Sequence, residues 1–166
     1  MTTLNLALAQ HKIEVVPTGD VEIRFAESED IDAIFRMVLR FIESTEYGNH
    51  IKVDGQTLYK TIDQLFSHDD HALLVADRSG QIIGTIGIII FRNLYSGIVE
   101  STELFWWVEP EHRRTKAGML LLKKAEMWSR DRGAQYLTMI APNERIERLY
   151  TRRGFTKIET NYRRKL

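Results

Sequence analysis

From Leu104 to Leu122 the chain reads LFWWVEPEHRRTKAGMLLL. The aromatic-rich run at its start suits a strand, and Glu109-Pro110 ends it, because proline offers no N–H to a ladder. A short basic loop follows, and a helix is expected from about Lys116 to Arg132, stopped at Gly133. A strand and a helix so joined must each cover an apolar face, which restricts the chain to a layered fold. The junction also suits an anion. Unbonded N–H groups and the positive end of the helix dipole meet there, beside Arg113, Arg114 and Lys116. A diphosphate-bearing molecule is the natural guest.

The flanking segments supply the other layers. Val21 to Phe25 alternates like a half-buried strand, and residues 1–20, closed by a Pro17-Thr18-Gly19-Asp20 turn, read as an extension. Ser28 is the expected N-cap of a helix carrying Ile31, Ile34, Phe35, Val38, Leu39 and Ile42 at helical spacing. A second helix is expected around Leu58, Ile62, Leu65 and Phe66. His71–Asp77 and Gln81–Phe91 flank Arg78-Ser79-Gly80 as a hairpin, and the isoleucine-rich second arm suits a central strand. Further strands are expected at Val99–Val108 and Gln135–Ile140, a short helix at Asn143–Arg153, and a last strand within Phe155–Arg163. The order β-α-α-β-β-β-α-β-α-β implies a mixed sheet covered by helices.

Composition narrows the function classes. The 166 residues include no cysteine, which removes disulfides, cysteinyl metal sites and thiol nucleophiles and accords with a cytoplasmic location. The longest apolar run, Ile82–Phe91, is interrupted by Gly84, Thr85 and Gly87 and is too short for a bilayer span. No basic-then-apolar leader opens the sequence, so no signal peptide is expected. The histidines show no metal-ligand spacing, and His68-Asp69-Asp70-His71 reads as a polar turn. Net charge is zero but divided: residues 1–105 carry −8 and residues 106–166 carry +8. Either the two halves pair across the surface, or the second presents a basic face to a polyanion.

This order of elements and three motifs resemble the GNAT superfamily of acetyl-CoA-dependent N-acetyltransferases. The resemblance covers about residues 21–166, read as one domain. V-E-P-E-H-R-R-T-K-A-G-M-L-L-L is similar to the family's Q/R-x-x-G-x-G/A strand-turn-helix motif. Asn143 with Leu149-Tyr150-x-x-x-Gly154-Phe155 is similar to its later N…LY-x-x-x-GF element, and the isoleucine-rich hairpin precedes both. Some bacteriophage-encoded members share the character of E-L-F-W-W-V and N-Y-R-R-K-L. Arg113 and Gly118 match the first motif's ends, but Lys116 stands where a glycine is expected. The implied fold is α/β (α+β): a mixed, mainly antiparallel central sheet flanked by helices on both faces.

The resemblance implies acetyl transfer from acetyl-CoA, a co-substrate, to an amine, with no metal. The main chain at Trp106, Trp107 and Val108 would pair with the pantetheine arm. Amides from Arg113 through Arg114, Thr115, Lys116 and Ala117 to Gly118, with Met119 beyond, would hold the diphosphate. Tyr150 is the implied acid that protonates the departing thiolate; its bland alternative is a core aromatic. For the base, Glu103 is preferred over Glu100. Strict alternation puts Glu103 with Phe105 and Trp107, and Glu100 with Leu104 and Trp106. Asn143 is open between capping the last helix and touching pantetheine. The acceptor is a small-molecule amine, a protein amine or aminoacyl-tRNA, and dimers are frequent in such families. No membrane partner is expected. The basic helical face at Arg145, Arg148, Arg152 and Arg153 keeps RNA as an alternative, alongside a catalytically silent protein that binds a host protein or nucleic acid.

Overall fold

The computed structural model describes residues 21–166, the side chain of Tyr47 apart. The expected extension at 1–20 lies outside the described residues. Strand β1 (Glu22–Phe25) leads into helices α1 (Ile31–Glu43) and α2 (Gly55–Leu65). Then come β2 (His71–Arg78), β3 (Gln81–Arg92), β4 (Val99–Val108), α3 (Ala117–Asp131), β5 (Tyr136–Thr138) and α4 (Glu144–Arg152). The sheet runs β1-β2-β3-β4-β5. Its first three pairings are antiparallel, whereas β4–β5 is parallel, as the α3 crossover between them requires. This is the expected mixed, mainly antiparallel sheet with helices on both faces.

Local chemistry accounts for the turns. Ser79 and Gly80 both have positive φ (53° and 86°), the geometry that matches a two-residue turn to strand twist. The first helix starts differently from the expectation at Ser28. Residues Ser28–Asp30 form a 3-10 turn with Glu27 as its N-cap, and the Asp30 carboxylate accepts the Glu27 N–H at 2.8 Å as one side of a capping box.

Each face of the sheet has its own core. Ile34, Val38, Ile62 and Leu65 from α1 and α2 pack on Leu73, Val75 and Phe105. On the other face Ala117, Leu121, Ala125 and Trp128 of α3 pack on Leu74, Ile83, Ile86 and Ile88. Neighbouring residues of β2 and β3 thus feed opposite cores, the period-2 rule of a sheet covered on both sides.

Arg24 ties the first turns together, bonding Asp30 at 2.6 and 3.0 Å and Asp77 at 3.1 Å. Burial works to raise the Asp30 pKa, but the guanidinium and the Glu27 amide outweigh it and hold the carboxyl below its ordinary value. A depressed carboxyl pKa stabilises the fold above the unfolded value of about 3.9, and that contribution is lost as pH falls through the folded value. Arg24→Met is expected to cost about 2 kcal/mol at pH 7, by leaving two carboxylates without their cation. Urea unfolding at pH 7 and pH 3 checks this: the deficit should shrink at pH 3.

One expected element does not form. No strand occupies Phe155–Arg163. Gly154, at φ 85°, turns the chain off α4, and Phe155 packs on Tyr150 with ring centroids 5.3 Å apart. Phe155, Ile158 and Tyr162 are spaced by three and four, so no strand face can collect them, and the last two are exposed.

Candidate active site

The site follows from a single irregularity in β4. Gly87 on β3 faces Phe105, yet the next residue, Ile88, faces Glu103, so Leu104 is an extra, unpaired residue. A bulge of this kind reverses the side-chain alternation beyond it. Phe105 and Trp107 lie toward α1 and α2, whereas Glu103 joins Ile88 and Trp106 on the α3 face. The expectation that Glu103 shares a face with Phe105 and Trp107 is therefore corrected. Glu100 goes the other way and accepts Asn93 Nδ2 at 2.9 Å. Gly87 permits the bulge's close packing: a Cβ there would sit 2.8 Å from the Phe105 ring.

On that face α4 supplies the second group. Asn143 caps α4 by accepting the Ile146 N–H at 3.1 Å, the first of the two roles the sequence left open. The helix then carries Tyr150 inward, its ring stacked on Trp106 at 6.2 Å and 19°. The Tyr150 hydroxyl lies 3.4 Å from Glu103 Oε2 and 3.4 Å from the Ile140 carbonyl. Glu103 is 4% exposed and Tyr150 6%. Burial pushes the Glu103 carboxyl up to about 7, against the Ile140 amide and the Tyr150 hydroxyl, which favour its charge. Burial, then the Glu103 charge, pushes the Tyr150 hydroxyl up as well. The Trp106 Nε1–H is also buried here, without an acceptor among the described residues. Sequence reasoning missed the Ile140 main chain and the bulge; Gly87 opposite an aromatic was the one available signal.

Strands β4 and β5 pair only over Glu100–Thr102 and Tyr136–Thr138. Past Thr102 the β5-side edge of β4 is therefore unpaired among the described residues. Glu109 N–H donates to Ile83 O at 3.0 Å, so by alternation Trp107 turns its main chain to β3 while Trp106 and Val108 turn theirs outward. The Val108 carbonyl already accepts Arg113 Nε at 3.0 Å, and the Arg113 guanidinium lies 4.4 Å over the Trp107 ring. Trp107 itself is buried and donates Nε1–H to Glu109, which also pairs with Arg40 of α1.

At the head of α3, Thr115 Oγ1 accepts the Ala117 N–H at 3.2 Å and donates to the His112 carbonyl at 2.7 Å. The Thr115 and Arg113 amides bond to His112 and Pro110. Among the described residues, the amides of Arg114, Lys116, Gly118 and Met119 find no acceptor. Lys116 has φ −79° and ψ −6°, an ordinary helical conformation, so the glycine expected there is not needed for backbone freedom. A cavity of about 580 Å³ opens beside it, lined in part by Lys116, Met119, Lys123 and Arg153. On α4, Arg148 pairs with Glu144, which neutralises part of the basic face, while Glu147 pairs with Lys157 beyond the helix. Among the described residues no histidine and carboxylate cluster could hold a metal, and no helix is long and apolar enough to cross a membrane.

The sheet, the parting of β4 from β5 and the flanking helices define an α+β acetyltransferase fold. Three solved structures share it. A transcriptional regulator from Bacillus halodurans C-125 superposes with TM-score 0.72 at 17% identity, over 88% of this chain and 99% of that one. A Trypanosoma brucei acetyltransferase gives 0.70 at 20% identity, over 89% and 100%. The enzyme AAC(6')-Iy, in complex with the bisubstrate analog CoA-S-monomethyl-acetylneamine, gives 0.71 at 15%, over 88% and 99%. No curated protein sequence matches. Residues 37–155 match the Acetyltransferase (GNAT) family, and the chain belongs to that family. The family uses acetyl-CoA and acetylates amine acceptors.

Proposed function

We propose that this protein is an N-acetyltransferase that moves the acetyl group of acetyl-CoA to a primary amine by direct transfer in a ternary complex. The observation that carries this reading is the buried Tyr150–Glu103 contact, formed just where β4 and β5 part. Tyr150 is the acid toward the departing thiolate, and Glu103 is the base, with a pKa suited to neutral pH. Cysteine is absent, which agrees with transfer without a cysteinyl acyl-enzyme.

The chain's residues fit the co-substrate. The unbonded amides of Arg114, Lys116, Gly118 and Met119 at a helix N-terminus suit a diphosphate. Lys116 adds a point charge there, and Arg114 a second cation. Thr115 and Ala117 take a supporting part, since their bond sets the helix start. The outward main chain of Trp106 and Val108 suits the pantetheine amides as an added strand would. Trp107 and Arg113 brace that edge from behind, and Asn143 acts through the α4 cap. Residues 21–166 are its one domain, with 1–20 an extension.

A catalytically silent protein is the second reading. It draws support from Arg113, whose side chain occupies the Val108 carbonyl that a tether amide would use. Calorimetry separates the two. Exothermic acetyl-CoA binding with a micromolar dissociation constant is expected, or about −8 kcal/mol. Failure to bind at millimolar concentration would leave the silent reading.

A further inference from the structure

Glu103 is placed where it cannot meet an amine unaided. It lies on the α3 face of β4, buried and opposite Ile88 on β3, itself a member of the core that α3 covers. Two polar groups reach it, the Tyr150 hydroxyl from α4 and the Ile140 main chain after β5, and the Trp106 indole stacks on the Tyr150 ring. The other carboxylates of this strand and its exit are committed elsewhere, Glu100 to Asn93 and Glu109 to Arg40 and Trp107. Among the described residues, Tyr150 is the one titratable group within hydrogen-bonding reach of Glu103.

We infer that Glu103 acts only through Tyr150, as the store for a proton that Tyr150 carries from the acceptor nitrogen to the cofactor sulfur. This deepens the proposed acetyl transfer and rests on it. As the nitrogen–carbon bond forms, the Tyr150 oxygen takes the nitrogen's proton and passes its own to the Glu103 carboxylate. As the carbon–sulfur bond breaks, Glu103 returns a proton to the Tyr150 oxygen and Tyr150 protonates the sulfur. Both residues end as they began, and the net movement is one proton from nitrogen to sulfur. Glu103 is thus a positioning and proton-storing residue, and Tyr150 is the catalytic residue that touches the reactants. The hydroxyl, 3.4 Å from both Glu103 and Ile140 O, is bound tightly by neither, the loose geometry common at acid–base sites before reactants arrive.

The test uses Glu103→Gln, Tyr150→Phe and the double variant of the full chain. Each single variant is expected to lose turnover by roughly 10²- to 10⁴-fold and to lose the pH–rate limb near neutrality. The double variant should be no slower than Tyr150→Phe alone, because one path has been cut twice. Glu103→Asp should restore the limb in part. Infrared titration of the Glu103 carboxyl gives a readout independent of turnover: its midpoint should move in Tyr150→Phe. A preserved limb in Glu103→Gln, losses that multiply in the double variant, or an unmoved carboxyl midpoint would each overturn the inference and leave acetyl transfer standing. A wild-type protein that neither binds acetyl-CoA nor releases thiol would reject the acetyl-transfer reading, and the relay with it.

Discussion

Tyr150→Phe is expected to lower turnover roughly 10²- to 10⁴-fold, the range of a lost acid–base group, while acetyl-CoA affinity stays within a few-fold of wild type. The substitution removes one oxygen and keeps the ring. That ring holds its place by stacking on Trp106 and by tilted contact with Phe155, so the end of α4 should remain seated. The groups suited to the diphosphate and tether lie elsewhere, at the head of α3 and the outer edge of β4, and do not depend on the hydroxyl. Burial has already pushed that hydroxyl's pKa up, so it holds its proton at every working pH and serves as a donor. Single-turnover thiol release and calorimetry on the same preparation make the comparison. Undiminished thiol release in the variant would remove Tyr150 from the chemistry and return it to the core.

Glu103→Gln should make the protein more stable at pH 8 than the wild type, by up to about 3 kcal/mol, and nearly equal to it at pH 4.5. Burial raises the carboxyl from its ordinary 4.5 to about 7 in the folded state. Between those values the folded chain binds a proton that the unfolded chain has released, so stability falls as pH rises. Above about 7 the folded carboxyl is charged too, and the penalty is complete. Glutamine keeps the shape without the charge, so it escapes the fall. For a chain of this size 3 kcal/mol corresponds to about 6 to 12 °C in Tm. Thermal unfolding followed between pH 4.5 and 8.5 reads it directly. A wild-type-to-variant gap that does not change with pH would mean that Glu103 ionises as an exposed carboxyl does. A gain in stability joined to a loss of turnover is what a site residue held against its own solvation should show.

Much of this molecule could be read from the chain because the signals are local. Helices at α1 and α2 announced themselves by apolar spacing, and the β2–β3 turn by Ser79-Gly80. The loop at the head of α3 was marked by its proline, its arginines and the helix that follows. Each depends on a residue's own dihedral preferences or on neighbours one turn away. The same holds for Asn143, whose cap needs only the three residues after it. Local rules failed at the tail, where Phe155 docks on Tyr150 and no partner strand waits for the rest.

What made the site was not local. Alternation assigns Glu103 to the face of Phe105, and nothing in residues 99–108 alone says that Leu104 drops out of the ladder. That decision rests on β3, where Gly87 gives the Phe105 ring its room and the register slips by one. One skipped residue turns Glu103 into the α3-side core, where α4 brings Tyr150 to meet it across 47 positions of chain. The sequence by itself determined which layers form, their order and the basic loop at the head of α3, since those follow from periodicity and caps. Only the tertiary structure decided that the carboxyl and the phenol share one dry compartment, because register and burial are properties of strands in contact rather than of any one strand.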